Sequence, residues 1–175
     1  MSSTLKKGKG KKKEEEVTPE ALLERLEEIK RRKDSFFTYV SDEEQEENIP
    51  KLQKLLDELK PTIRNAIHKA NSGAKMKAET MYSFGKFVAS YEYLMTFHKI
   101  AFDLSLVYRE DLYKELIKYM EDAIEIFYDI KKGESLDRVM NRLDLLTFYI
   151  RSDIEKFIKP FENHVEDLEG SVCGS

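Results

Sequence analysis

The sequence predicts an all-α protein, a bundle of about five mostly antiparallel helices behind a disordered basic N-terminal tail. From Thr18 onward, apolar residues recur about every three and a half positions, which is the spacing of one helix face. The 175 residues include only 7 Gly and 4 Pro, too few for many hairpins, and no segment alternates with period two as a strand does. Short connections favour antiparallel neighbours in a single domain over residues 18–168, with residues 169–175 frayed.

The N-terminal tail, residues 1–17, is a low-complexity segment that we expect to be disordered because it has too few apolar residues to bury. Residues 1–13 contain six Lys and no acid, a charge of +6; since the whole chain carries −4, residues 14–175 carry −10. This basic tail suits contact with nucleic-acid phosphates or an acidic partner, and its other interpretation is a solubilising segment. The lysines concerned are Lys6, Lys7, Lys9, Lys11, Lys12 and Lys13.

The first predicted helix begins near Thr18, a suitable N-cap, with proline at the next position, and its apolar stripe continues to Val40. Residues 41–48, SDEEQEEN, are expected to form an acidic linker. The second helix is expected to open near Asn48 and to end at residues 71–73, Asn-Ser-Gly. Pro61 lies within its in-phase stripe, which favours one kinked helix over two.

The third predicted helix runs from about Met76 to Tyr108 and is apolar on several sides. Such a helix is usually central in a domain; the alternative is that one side meets another protein chain. The fourth helix covers about 109–132 and is closed by Gly133. The fifth follows Ser135 as N-cap, and Pro160 within its stripe predicts a bend.

Composition excludes several classes of function. The single cysteine, Cys173, cannot form an internal disulfide, no secretory signal follows Met1, and no run of about 18 apolar residues exists. We therefore expect a cytoplasmic, intracellular protein that does not enter a membrane. Abundant Glu and Lys with little Gln and Cys give a thermophile-like composition.

Motifs for catalysis and cofactor binding are lacking in the sequence. It contains no phosphate-binding glycine loop, GxGxxG, HExxH, CxxC or nucleophile elbow. A ferritin-like metal site needs Glu three residues before His, and none of the three histidines has one. We expect no metal and no cofactor, and interpret the carboxylates of Asp122, Glu125 and Asp129 as a solvated helix face.

The histidine best placed for chemistry is His98, which falls on an apolar stripe of the third helix. Its imidazole could act as a ligand or a general base, although a hydrogen-bonded histidine at the edge of the core is the more common situation. Arg64 and His68 lie one helical turn apart. With Asn65 after the arginine, this segment resembles the Arg–His motif of HEPN ribonucleases, but with three intervening residues where that family has four to six. The resemblance implies an α-helical ribonuclease using Arg64 and His68.

Aromatic residues supply the main indication of a binding function. The chain has 9 Tyr, 10 Phe and no Trp, many of them in the third helix. Tyrosine combines apolar area with a polar tip and is enriched at interfaces, whereas a well-filled core would also explain the number of rings. The predicted interface residues are Tyr82, Tyr93, Phe97, Tyr149 and Arg151.

A second family likeness concerns the segments Ile63-Arg64-Asn65 and Phe148-Tyr149-Ile150-Arg151. With five helices and a charged N-terminus, they resemble the small helical subunit of type III CRISPR effector complexes, in which an Ile-Arg motif and an aromatic-basic cluster are usual. The Thr-Ser-Gln that normally precedes Ile-Arg is absent. The resemblance implies a non-catalytic filament subunit along an RNA-guided backbone.

The sequence thus favours a non-enzymatic protein-interaction or assembly subunit, in a complex that the basic tail could associate with nucleic acid. The alternatives are a viral structural protein and an enzyme whose helical active site matches none of the motifs considered above. Self-association or another protein partner is expected in the favoured case.

Overall fold

The computed structural model describes residues 41–173, which form four α-helices and no strand. They are α1 (Asp42–Lys69), α2 (Ala74–Asp103), α3 (Arg109–Lys131) and α4 (Leu136–Cys173). The all-α prediction is confirmed for this part of the chain. The lysine tail and the first predicted helix lie outside the described residues.

Helix α1 begins earlier than the sequence predicted. The side chain of Ser41 accepts a hydrogen bond from the backbone N–H of Glu44 at 3.2 Å, and three carboxylates occupy the first turn. An N-cap hydroxyl and acidic side chains both stabilise the positive end of a helix. The expectation of a linker over residues 41–48 is therefore wrong, and Pro50 lies inside the helix. The backbone stays helical across Pro61, as predicted for a single helix.

Helix α2 ends at Asp103, five residues before the predicted end. The following turn contains Ser105 with φ of 54°, a left-handed conformation that an α-helix cannot include. The N–H of Leu106 donates to the carbonyl of Ala101 at 2.9 Å and closes the turn. The long apolar run of residues 76–108 therefore belongs to a helix and a connection rather than to one helix.

The boundary between α3 and α4 lies close to its predicted position. Gly133 has φ of 85°, and the N–H of Glu134 donates to the carbonyl of Asp129 at 3.0 Å, which is the pattern of a glycine C-cap. Helix α4 passes through Pro160 and continues to Cys173, so its helical backbone extends beyond Leu168.

Consecutive helices run antiparallel, as the contacts between their ends show. His98 meets Gln45 and Lys60 meets Glu92, so α1 and α2 run in opposite directions, and Tyr119 on α3 meets Asp153 on α4. Helices α2 and α4, however, run parallel to each other and make the most extensive helix–helix contact. The arrangement is approximately consistent with the prediction of mostly antiparallel neighbours, because the consecutive helices are antiparallel.

The core lies around α2 and α3, each of which contacts the other three helices. The Tyr91 hydroxyl donates to the carbonyl of Leu116 at 2.9 Å and joins the two central helices. The sequence's expectation that this long helix is central is therefore confirmed. The largest fully buried side chains are Tyr91, Tyr113, Phe84, Phe87, Phe127, Leu56, Leu59, Ile63, Ile67, Leu94 and Met95. No helix within residues 41–173 is long and apolar enough to cross a membrane.

Candidate functional site

Two aromatic side chains lie exposed on the outer side of α2. Tyr82 is 70% exposed and Tyr93 is 54% exposed. They are separated by 11 residues, or three helical turns, which places them on one face about 16 Å apart along the axis. Both were predicted as interface residues, and both side chains are available to a partner in this conformation.

The neighbouring helix α4 presents two more rings to solvent. Phe148 is 63% exposed and Tyr149 is 51% exposed, and their ring centroids lie 5.9 Å apart in an edge-to-face arrangement. Phe148 points away from the buried stripe that contains Leu146 and Ile150. Arg151, one helical turn beyond Phe148 on α4, is exposed.

An ion pair joins the exposed residues of α2 to those of α4. The ammonium of Lys86 lies 3.8 Å from a carboxylate oxygen of Asp144 and 4.9 Å from the centroid of the Tyr82 ring. Such a pair contributes little stability because both side chains are partly exposed, but it shows which parts of the two parallel helices lie side by side. We call this region the outer α2–α4 face; it consists of Tyr82, Lys86, Tyr93, Asp144, Phe148 and Arg151.

A shallow groove of about 190 Å³ lies on the other flank of α4, against α3. Tyr149 contributes to it and so extends the exposed aromatic surface around the helix. An ion pair between Arg142 and Asp129 lies nearby. The other lining residues are Asp122, Ile126, Arg142, Leu145 and Leu146.

Phe97 is a correction to the predicted interface. Its side chain is only 6% exposed, because the rings of Tyr108 and Phe161 cover it at centroid distances of 6.2 and 5.4 Å. Phe97 is therefore a core residue that links α2 to the following turn and to α4.

His98 is buried between α1 and α3, with 1% of its surface exposed. Its Nε2 lies 3.2 Å from Oε1 of Gln45, and the Phe102 and Tyr113 rings pack beside it. Burial lowers the pKa of His98 to about 4, with a further contribution from the positive charges of Arg109 and Lys99. The imidazole is thus held neutral, and its Nδ1 has no hydrogen-bond partner within the described residues. This arrangement fits the structural role that the sequence favoured for His98.

Arg64 and His68 lie on α1 with exposed side chains. The backbone carbonyl of His68 accepts a hydrogen bond from the ammonium of Lys77 at 3.1 Å, which ties the end of α1 to the start of α2. Within the described residues, no group of three or more His, Cys, Asp or Glu side chains could hold a metal ion. The predicted tail contacts, from Lys6 to Lys13, lie outside the described residues.

Sequence reasoning missed Phe148 as an exposed ring and Gln45 as the partner of His98. Phe148 could have been found from its helical position, because it lies opposite the buried stripe of α4. Gln45 gave no such signal, since it stood in a segment that we had assigned to a linker. No family model, curated protein or solved structure matches this chain.

Proposed function

We propose that this protein is a non-enzymatic interaction or assembly subunit that binds a protein partner through the outer α2–α4 face. The observation that supports this proposal is the concentration of three exposed aromatic rings, those of Tyr82, Tyr93 and Phe148, on the two adjacent helices of this face. Tyrosine and phenylalanine at a solvent-exposed position contribute little to the fold but supply most of the energy of typical interfaces.

The exposed aromatic area of this face can be compared with the area that protein interfaces bury. Taking about 200 Å² for each ring-bearing residue, the three exposed fractions amount to roughly 370 Å². The largest apolar patch on a typical monomer covers about 300–600 Å² and is often functional. A stable interface buries about 800 Å² on each partner, so these rings would supply about half of it.

The test compares two double variants of the full-length protein in a pull-down from its source organism. Tyr82→Ser with Phe148→Ser removes aromatic area, while Lys75→Ser with Glu155→Ser alters exposed residues of the same two helices. We expect a partner that the wild type and the control retain and the aromatic variant loses by at least about tenfold. Equal retention by both variants, with helical content unchanged by circular dichroism, would contradict the proposal.

The basic tail supports an additional proposal, that the complex is associated with nucleic acid. Residues 1–13 of the tail carry a charge of +6, in contrast to −10 on residues 14–175, so phosphate contacts would be confined to the tail. Removing residues 1–16 should weaken binding of a single-stranded RNA or a DNA duplex and reduce its salt dependence. Unchanged affinity after truncation would refute a role for the tail. The likeness to the CRISPR small subunit predicts RNA as the ligand of the assembled complex.

A further inference from the structure

We infer that the partner of the outer α2–α4 face is a second copy of this chain, related by a two-fold axis that passes next to Ala89. This inference rests on the proposed function and names the partner. Two copies of α2 would pack antiparallel, with the outer faces turned toward each other. The inference is carried by the spacing of uncharged residues along α2, by charge complementarity, and by the position of Phe148.

The exposed side of α2 carries an unusually long uncharged stripe for a chain in which 37% of residues are charged. Its members are all exposed and follow one another at intervals of 4, 3, 4, 4, 3 and 4 residues, which average 3.67 and keep the stripe on one side of a straight helix. They are Ala78, Tyr82, Gly85, Ala89, Tyr93, Thr96 and Ile100.

These intervals are the same in both directions from Ala89, and each larger residue lies at the same distance from Ala89 as a smaller one on the other side. In an antiparallel pair centred there, Tyr93 of one copy comes level with Gly85 of the other. Likewise Tyr82 comes level with Thr96, and Ile100 comes level with Ala78. Each of these levels contains one larger and one smaller side chain, and two small alanine side chains meet at the centre. The two helices can therefore stay at a constant, close separation along the whole stripe.

Gly85 is explained by such a partner and by nothing within the described residues 41–173. A Cβ atom at this position would meet no atom within 4 Å, so the fold does not require glycine there. Glycine in a helix interior is less favourable than alanine by about 1 kcal/mol. A small residue at this exposed position is useful if another backbone or ring approaches it closely.

The charges of the outer α2–α4 face complement those of a second copy. The Lys86–Asp144 pair and the parallel direction of the two helices place Arg151 level with Tyr93, about 6 Å beyond Ala89 along the axis. The same reasoning places Asp144 about 4.5 Å before Ala89. The two-fold rotation reverses this order and leaves both α4 helices on the same flank, so Asp144 of each copy lies within reach of the long Arg151 side chain of the other. Arg151 makes no ion pair within residues 41–173, and this arrangement gives it one.

Phe148 lies almost on the proposed axis. It follows Asp144 by four residues, which places it level with Ser90, next to Ala89. The two copies of this ring would therefore meet near the two-fold axis. With Tyr82 and Tyr93, they provide roughly 370 Å² of aromatic surface per copy, about half of what a stable dimer buries on each partner. The uncharged small residues between them supply further area.

The proposed axis can be tested by disulfide cross-linking. Helices about 9 Å apart, with Cα atoms at a radius of about 2.3 Å, bring facing Cα atoms to about 4–5 Å, which a disulfide can span. In a Cys173→Ser background, Ala89→Cys should therefore form a covalent dimer with oxidised glutathione. Thr96→Cys is the matched control, because its two copies lie about 21 Å apart along the axis. A cross-link that forms equally well at both positions, or only in the control, would overturn the inference.

The oligomeric state gives an independent measurement. Sedimentation of the full-length protein should show a concentration-dependent dimer. Gly85→Arg should raise the dimer dissociation constant by at least about tenfold while leaving the helical content unchanged, because a Cβ atom at this position meets no atom of the described part of the chain within 4 Å. Glu162→Arg, at an exposed position of α4 outside the face, should leave dimerisation unchanged.

A wild-type protein that sediments as a monomer over the accessible concentration range would overturn the dimer. The proposed interaction function can fail or stand independently of the dimer. If the protein is monomeric but the Tyr82→Ser, Phe148→Ser variant still loses a different protein in the pull-down, the interaction function stands and the second copy is excluded. If the dimer forms through the Ala89 axis and no other partner depends on these rings, self-assembly is the function of the face.

Discussion

The buried imidazole of His98 makes the stability of the fold sensitive to acid. Above its ordinary pKa of 6.5 the histidine is neutral in both the folded and the unfolded chain. Because burial lowers the folded-state pKa to about 4, the unfolded chain binds a proton between these two values and the folded chain does not. The free energy of unfolding therefore falls as the pH is lowered from 6.5 to about 4, and the full effect is about 3 kcal/mol.

The assay is urea unfolding, followed by circular dichroism, of the wild type and of His98→Leu at a series of pH values between 7 and 4. The variant removes the hydrogen bond between the imidazole and the amide oxygen of Gln45, a cost of about 1 kcal/mol that does not change with pH. We expect the wild type to lose about 2 kcal/mol more than the variant between pH 7 and pH 5.

Comparison with the variant is necessary because another group acts in the opposite direction. Burial raises the pKa of Glu115, so its contribution to the free energy of unfolding increases as the pH falls. His68→Leu, at an exposed position, controls for the loss of one histidine and should keep the wild-type pH dependence. If the free energy of unfolding changes with pH by the same amount in the wild type and in His98→Leu, the conclusion that a buried, neutral His98 makes the fold sensitive to acid is refuted.

Three further substitutions test other parts of the structure. Ser41→Ala removes the cap on the N–H of Glu44 and should lower the free energy of unfolding by about 1 kcal/mol, whereas a start near Asn48 would predict no change. Tyr91→Phe removes the buried bond to the carbonyl of Leu116 and should cost about 1 kcal/mol in urea unfolding; a neutral effect would mean that this bond does not stabilise the central pair. Gly85→Ala should raise the stability of the dilute monomer by about 1 kcal/mol, and destabilisation there would show that the fold itself requires glycine.

The sequence predicted the positions of the helices well where a single local signal decided them. Gly133 marked the end of α3 because its left-handed conformation favours glycine. The start of α1 was missed because Asn48 was taken as the N-cap and the run of acidic residues before it as a linker. The carboxylates at Asp42 and beyond stabilise the first turn of a helix, so the same residues that indicated a linker in fact favour an N-terminus.

Predictions failed where contacts between distant residues decide the outcome. Tyr93 and Phe97 are four residues apart on one helix, but only Phe97 is covered, by Tyr108 and by Phe161 from α4. The periodicity of α2 alone could not show this, because the helix is apolar on several sides and the covering residues come from other parts of the chain. The parallel contact of α2 with α4 had no local signal for the same reason.

The contrast between His98 and the outer α2–α4 face explains why we place the function at the surface. A general base needs its imidazole within reach of a substrate and a pKa near the working pH. His98 is inaccessible, and its pKa of about 4 makes it a weak base. Tyr82 and Phe148 are in the opposite situation: each exposes more than half of its surface to water, where a ring contributes little to folding. The contact of these apolar rings with water is unfavourable. Binding another surface would remove it, and the rings can therefore contribute free energy to binding.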